Sequence, residues 1–279
     1  MNGEPPAQEA PVARARPAAT VLLARDAHDG GIEIYLVQRH SAIGFMGGMH
    51  VFPGGKVCAD DASESMRGCI DARRHVADDE LWGAEVEAGA AFTRAIAAIR
   101  ETLEEAGVLL GIGAPPSELN SVRERLLAGE TFAALLAEHR LSLELSVLQP
   151  FSRWITPESE PVRFDTSFYL ARAPLDQEAA CDRSESVSGM WIGPAAALEA
   201  ARTAQIRLAP PTALTLESLK AAASVDAAWA LATSRPPPVI LAIMRAQAGE
   251  FVIVYPGDPE HPVRTRAMDG PTRRIWRKS

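Results

Sequence analysis

Hydrophobic and polar positions near the N-terminus form two short runs that predict a β-hairpin. Residues 20–24 and 32–37 are rich in aliphatic and β-branched side chains, and the Asp-Gly-Gly sequence between them is typical of a turn. A third extended segment, residues 50–55, ends in two glycines, where the backbone can approach a ligand closely. We expect the fold to begin near Ala19, after a flexible leader over residues 1–18.

From Ala90 onwards the apolar positions recur every three or four residues, which predicts an amphipathic helix. Its apolar stripe consists of Ile96, Ile99, Leu103 and Ala106. Gly107 follows this stripe and is expected to end the helix as its C-cap. The preceding residues 60–87 are polar and weakly periodic, so we expect an insertion with about one helical turn. Because its ends should lie close together, deletion of residues 63–85 is expected to spare folding.

The rest of the chain alternates between strand and helix patterns. A second helical stretch is predicted at residues 118–140, and strands are predicted at 148–154, 164–171 and 189–192. Residues 194–232 favour helices broken at Pro210, and residues 239–245 and 250–255 favour a terminal hairpin. The buried residues expected in the second helical stretch are Leu126, Leu127, Phe132, Leu135 and Leu136. Strands on both sides of a strong helix indicate an α/β fold.

Composition places the chain among ordinary globular proteins. Its 279 residues are 47% hydrophobic and 23% charged, and the net charge of −8 disfavours binding to nucleic acid. Three cysteines without a Cys-X-X-Cys pair support neither a disulfide framework nor a zinc site. The sequence contains neither a signal-peptide pattern nor an 18-residue apolar run, so we expect a cytoplasmic protein without a membrane partner.

The most informative polar pattern lies on the predicted helix. Glu101, Glu104 and Glu105 stand at positions i, i+3 and i+4, where like charges repel by a few tenths of a kcal/mol per pair. A divalent cation would make this spacing favourable, and hard oxygen ligands point to Mg²⁺ or Mn²⁺. The alternative is an acidic helix face that is simply solvated.

Two separated segments then suggest a family. Phe-Pro-Gly-Gly-Lys-Val at residues 52–57 and Arg-Glu-Thr-Leu-Glu-Glu-Ala-Gly-Val-Leu at residues 100–109 closely resemble the two ends of the Nudix box. The resemblance implies an α/β/α sandwich built on a mixed sheet. It also implies helical insertions at about residues 57–92 and 110–145 and an added C-terminal helical segment. We expect one domain over residues 19–270, followed by a tail over 271–279.

The spacing between the two halves departs from the usual Gly-X5-Glu-X7-Arg-Glu pattern. Gly55 and Arg100 are 45 positions apart, so about 31 residues are inserted. Counted forward from Gly55, the missing glutamate falls on Asp61; counted back from Arg100, it falls on Phe92. Because of this insertion and the segments 44–55 and 154–168, the sequence resembles the peroxisomal acyl-coenzyme A diphosphatases and their bacterial relatives. Residues 39–41 and 48–55 match part of a coenzyme A motif.

The family resemblance implies roles for individual residues. Glu104 and Glu105 match the main metal ligands, and Glu101 matches a carboxylate that is either a ligand or a base. Arg100 would orient these carboxylates through charge-assisted hydrogen bonds. The carbonyl of Gly54 matches a backbone ligand of the metal.

Groups outside the helix are expected to complete the site. Glu158 and Glu160 are candidates for the general base, with ordinary loop acids as the alternative for each. Arg39, Lys56 and Arg163 are candidates to bind substrate phosphates. Lys56 could equally be a surface lysine, and Arg163 could equally pair with Asp165.

Together these features predict a Mg²⁺- or Mn²⁺-dependent pyrophosphohydrolase with a small-molecule nucleotide substrate. The resemblance favours coenzyme A or acyl-coenzyme A, cleaved to 3′,5′-ADP and 4′-phosphopantetheine or its acylated form. The alternatives are NADH, ADP-ribose or nucleotide sugars as substrates, or a catalytically silent module that senses a nucleotide. The sequence leaves open whether copies of the chain form a homo-oligomer.

Overall fold

The predicted N-terminal hairpin lies at the centre of a mixed β-sheet. The computed structural model describes residues 12–44, 46–71, 79–82, 89–112, 117–182, 186–247 and 250–276. The first strand and its hairpin partner pair antiparallel, and both turn glycines, Gly30 and Gly31, have positive φ angles of 95° and 82°. This confirms the hairpin, although the first strand begins at Arg16, inside the predicted leader. Residues 1–11 of that leader lie outside the described residues.

The described residues contain eight strands of the main sheet, three strands of a smaller sheet and seven α-helices. The main sheet consists of β1 (Arg16–Asp26), β2 (Ile32–Arg39), β3 (His50–Val51), β4 (Gly54–Lys56), β5 (Gln149–Ile155), β6 (Phe164–Arg172), β7 (Ser186–Ile192) and β8 (Val239–Leu241). The smaller sheet consists of β9 (Ile243–Gln247), β10 (Glu250–Val254) and β11 (Arg273–Trp276). The helices are α1 (Glu64–Arg67), α2 (Ala90–Ala106), α3 (Leu119–Leu127), α4 (Phe132–Glu138), α5 (Pro194–Arg202), α6 (Pro210–Leu219) and α7 (Val225–Thr233).

The main sheet is mixed and is covered on both faces. Its strand order is β3-β2-β1-β6-β5-β8, with β4 paired to β1 and β7 paired to β2. The β1–β6 and β5–β8 pairs are parallel, whereas the others are antiparallel. Alternate residues of β1 face two separate hydrophobic clusters: Val21 and Leu23 contact α2, and Leu22 and Ala24 face the layer of α5–α7. This confirms the α/β/α sandwich.

The insertion within the motif is part of the core. Met66, Cys69 and Trp82 are buried in the same cluster as α2, and the Trp82 ring meets Tyr169 edge-on at 5.1 Å. Ile70 forms a β-bridge to Leu143, which ties this insertion to the second helical one. The expectation that residues 63–85 are dispensable for folding is therefore corrected, because deletion would remove Met66, Cys69 and Trp82 from the core. Residues 72–78 and 83–88 of the insertion lie outside the described residues.

Some predicted boundaries are also corrected. The stretch 118–140 is two helices, α3 and α4, separated by a turn in which Gly129 has φ 99°, and Leu127 is exposed rather than buried. The predicted hairpin at 239–255 is divided: β8 joins the main sheet beside β5, and β9 pairs with β10 in the smaller sheet. Residues 273–276 of the expected tail form β11.

None of the helices within the described ranges combines the length and apolar character needed to cross a bilayer.

Candidate active site

The polar face of helix α2 lies against the glycine turn formed by Gly54 and Gly55. The helix packs on β1 and β4 and ends at Gly107, whose φ of 68° confirms the predicted C-cap. Its first turn is capped by Asp79, a residue of the insertion, whose carboxylate accepts hydrogen bonds from the amides of Gly89 and Ala91 at 2.6 and 2.7 Å. A carboxylate at a helix N-terminus is stabilised by the unpaired amides and the helix dipole.

Arg100 organises the carboxylates around it. Its Nε and Nη2 donate to the two oxygens of Asp61 at 2.9 and 3.1 Å, and Nη2 also donates to the Lys56 carbonyl at 2.8 Å. Its Nη1 donates to Glu101 at 2.8 Å and to Glu104 at 3.1 Å. All five N–H groups of the guanidinium fork thus have acceptors, so the orientation of the fork is fixed.

Asp61 is the residue that pairs with Arg100 across the insertion. It is buried in the short 3₁₀-helix Ala59–Ala62, and its Oδ2 also accepts from the Cys58 amide at 2.8 Å. Phe92, the other position considered for the missing motif carboxylate, is a buried core residue of α2. Counting forward from Gly55 therefore finds the carboxylate that pairs with Arg100.

The glycine turn packs directly on the carboxylates. The amide of Gly54 donates to Oε2 of the buried Glu105 at 2.9 Å. A Cβ atom on Gly55 would lie only 2.4 Å from the carboxyl carbon of Glu101, so a residue with a side chain would displace that carboxylate. Glycine at position 55 therefore leaves the Glu101 carboxylate in its observed place against the turn.

The electrostatics of the site favour a bound cation. Burial raises the pKa of Glu101 to about 7; Arg100 opposes this shift and the neighbouring Glu104 adds to it. Burial alone would lower the pKa of Arg100, but its hydrogen bonds to Asp61 and the charges of Glu101 and Asp61 leave it raised. Three carboxylates, those of Asp61, Glu101 and Glu104, contact one guanidinium, and Glu105 lies against the glycine turn beside them. The four acids thus outnumber the one cation that pairs with them in a largely buried place.

The donor set fits a hard divalent cation by its chemistry. Glu101, Glu104 and Glu105 supply carboxylate oxygens, the type that Mg²⁺ and Mn²⁺ prefer. Within the described ranges, no three Asp, Glu, His or Cys side chains converge in a ready-made metal arrangement. The contacts explain this, because Arg100 lies against Glu101 and Glu104 while Glu105 bonds to the turn.

The three basic side chains predicted to bind phosphate differ in their exposure and in their hydrogen-bond partners. Lys56 is exposed at the end of β4, directly after the glycine turn. Arg39 ends β2, and its Nε is enclosed without a hydrogen-bond partner among the described residues. Arg163 is buried and donates to the carbonyls of Thr156 and Ala13, so the alternative pairing with Asp165 is not what the structure contains.

The predicted candidates for the base lie in the loop between β5 and β6. Glu158 is exposed, and the half-buried Glu160 follows it in a turn closed by a hydrogen bond from its amide to the Pro157 carbonyl. Thr156 and Phe164 close the base of the loop through paired hydrogen bonds. The roles of Glu158 and Glu160 as base remain predictions.

A largely buried ionic cluster, which the sequence did not predict, joins Asp165 of β6 to Arg153 of β5 and Arg94 of α2. Asp165 accepts hydrogen bonds from Arg153 at 2.7 and 2.8 Å and from Arg94 of α2 at 2.6 Å. Burial would raise the pKa of Asp165, but the bonds from Arg153 and Arg94 outweigh it and lower that pKa. Arg94 stands seven residues before Glu101, on the same helix face, and this spacing is the signal that could have linked it to the site.

Comparisons with known proteins agree with this geometry. A family model described as the NUDT19 Nudix domain matches residues 75–219. Acyl-coenzyme A diphosphatase NUDT19 of Gallus gallus is 29% identical, and the alignment covers 88% of this chain and 80% of that protein. The protein of the same name from Homo sapiens is 30% identical, with 65% of this chain and 58% of that protein covered. The crystal structure of a NUDIX hydrolase from Alicyclobacillus acidocaldarius matches with a TM-score of 0.65 and 26% identity, covering 78% of this chain and 96% of the other.

Proposed function

The chain belongs to the NUDT19 Nudix domain family, and we propose that it hydrolyses the diphosphate of coenzyme A or its acyl thioesters to 3′,5′-ADP and 4′-phosphopantetheine or its acylated form. As a member of this family it is a Nudix hydrolase, an enzyme that acts on diphosphate bonds. Such hydrolases generally require a divalent metal, which we propose is Mg²⁺ or Mn²⁺.

The hydrogen-bonded network of carboxylates around Arg100 is the observation that supports a catalytic role. Arg100 gathers Asp61, Glu101 and Glu104 into one network, and Glu105 is fixed against the Gly54 amide. A module that only senses a nucleotide has no need for so many carboxylates in a partly buried place, where their repulsion and desolvation cost stability. The network therefore favours catalysis over silent sensing.

Three roles in the reaction would fall to side chains of this protein: cation binding, orientation of the ligands and acceptance of a proton. Glu101, Glu104 and Glu105 would hold the cation, with the Gly54 carbonyl as a further oxygen. A bound divalent cation neutralises phosphate charge and lowers the pKa of a bound water. Arg100 keeps Glu101 and Glu104 oriented through its fixed fork. Glu158 or Glu160 would accept the proton of the attacking water.

Substrate recognition would rest on Lys56, at the end of β4, and Arg39, at the end of β2. Lys56 is exposed next to Gly55, and Arg39 has an enclosed Nε with no acceptor among the described residues. Either could bind the 3′-phosphate that distinguishes coenzyme A from its dephospho form. Arg163 is the weaker candidate, because its guanidinium already donates to two backbone carbonyls.

We predict that Glu105→Gln lowers kcat by several orders of magnitude with the fold intact, because it removes a charge that holds the metal. Steady-state hydrolysis of coenzyme A across a Mg²⁺ titration measures this effect. Glu124→Gln on the exposed face of α3 is the matched control and should leave kcat unchanged. Near-wild-type activity of Glu105→Gln with the same Mg²⁺ requirement would show that α2 is not the metal site.

A further inference from the structure

The helical insertion after α2 reaches back to the C-terminal turn of that helix. Arg123 lies in the middle of α3, and its Nε and Nη2 donate to the backbone carbonyl of Glu104 at 3.0 and 2.8 Å. The same guanidinium lies over Gly107, where a Cβ atom would come within 2.9 Å of Nη1. The C-cap glycine thus serves a second purpose, since it leaves room for the arginine.

The last carbonyls of a helix have no partner within the helix and must find one elsewhere. In α2 the Leu103 carbonyl accepts from the Gly107 amide at 3.0 Å, and the Ala106 carbonyl accepts from the Ala180 amide at 2.8 Å. The Glu104 carbonyl accepts from Arg123. A cation in this position also interacts favourably with the negative end of the helix dipole.

This turn carries two of the carboxylates of the site. Glu104 is itself the residue whose carbonyl Arg123 holds, and Glu105 follows it. A helix end frays more readily when one of its terminal carbonyls loses its partner, and fraying here would move both carboxylates. Arg123 is half-buried, so its two bonds are shielded from competing water more than those of a surface arginine.

We propose that Arg123 is a positioning residue, which fixes the backbone of Glu104 and thereby the geometry of the metal-binding carboxylates. The inference rests on the proposed function, because it concerns the cation that Glu104 and Glu105 would hold. It assigns a purpose to the helical insertion at α3: the insertion supplies the group that completes the C-terminal end of the catalytic helix, as Asp79 of the other insertion completes its N-terminal end.

The test measures binding of Mn²⁺ to the full-length protein, with the free ion followed by electron paramagnetic resonance. Arg123→Gln should weaken Mn²⁺ binding at least tenfold, and Arg123→Lys should recover part of the loss because a lysine can still donate to the carbonyl. Arg125→Gln, two residues away on α3, is the matched control. Arg125 pairs with Glu130 and Glu138 at the surface, so its loss should leave the Mn²⁺ affinity unchanged.

The outcomes separate the two proposals. If the wild-type protein binds no Mn²⁺, the proposed metal site is wrong and the positioning role falls with it. If the wild type binds and Arg123→Gln binds equally well, or if Arg123→Lys is as weak as Arg123→Gln, the positioning role alone is wrong. Should Arg123→Gln fail to fold, Arg123→Lys decides: at least threefold weaker binding supports the role, and unchanged binding overturns it.

Discussion

At the scale of single residues, Arg100 orients the carboxylates of the site, and all five of its N–H groups donate hydrogen bonds. The helical spacing pointed to the three glutamates of α2, and the family resemblance implied the role of Arg100. The motif spacing offered Asp61 as one of two positions for the missing carboxylate. Spacing could not decide between Asp61 and Phe92, because an insertion of unknown course lay between the two halves of the motif. The structure decides, since Asp61 meets Arg100 through two hydrogen bonds.

Loss of the Asp61 carboxylate should destabilise the protein strongly. Asp61→Ala leaves a buried guanidinium without its main partner, and breaking such a pair costs roughly 3–5 kcal/mol in the free energy of unfolding. Urea denaturation measures the change. Asp60→Ala alters the exposed neighbour in the same 3₁₀-helix and should shift stability by no more than about 0.5 kcal/mol. Equal effects of the two variants would mean that the pairing with Arg100 contributes nothing.

Asp165 should make part of the stability sensitive to acid. Its folded pKa is lowered, so its stabilising contribution is present above the ordinary pKa of about 3.9 and is lost as the pH falls toward the lower folded value. Asp165→Asn should therefore be less stable than wild type by roughly 3–5 kcal/mol at pH 7, with the difference narrowing near pH 3. Urea denaturation across this pH range, with the exposed Asp176→Asn as control, measures it. If the difference in unfolding free energy between Asp165→Asn and wild type stays constant with pH, Asp165 does not make the stability sensitive to acid.

At the scale of elements, the hydrophobic periodicity predicted the long helix α2 but not the packing of the irregular insertion before it. The apolar stripe and Gly107 gave α2 and its C-cap, because a long amphipathic helix is encoded locally. The insertion before α2 was expected to be dispensable for folding, because its ends should lie close together. Its contribution comes from isolated anchors, Met66 and Trp82, whose burial depends on distant partners such as Tyr169.

Removal of one anchor should show that this insertion belongs to the core. Trp82→Ala empties a fully buried site, and such truncations cost about 3–5 kcal/mol in the free energy of unfolding. Thermal or urea unfolding measures the loss, and Leu175→Ala, at a fully exposed position, is the control. A change below about 1 kcal/mol for Trp82→Ala would support the original view of a removable loop.

At the scale of the whole molecule, the sequence predicted the fold through its resemblance to a family rather than through its strands. The hairpin β1–β2 was predictable because both strands and their turn are adjacent in sequence. The parallel pairing of β1 with β6, which builds the centre of the sheet, joins segments about 150 residues apart, and no local pattern specifies it. The same holds for β8, which was assigned to a terminal hairpin and instead pairs with β5.

The identity of the substrate is the main proposal for this protein, and a side-by-side kinetic assay tests it. The purified protein would be given coenzyme A, dephospho-coenzyme A, NADH, diadenosine polyphosphates and ADP-ribose with Mg²⁺, and kcat/KM would be measured for each. We predict that coenzyme A is cleaved with the highest kcat/KM. The kcat/KM of the dephospho form should be about ten- to hundredfold lower, because a charged group left unpaired costs roughly 1.5–3 kcal/mol. A kcat/KM for NADH or ADP-ribose at least tenfold above that for coenzyme A would show that coenzyme A is not the preferred substrate.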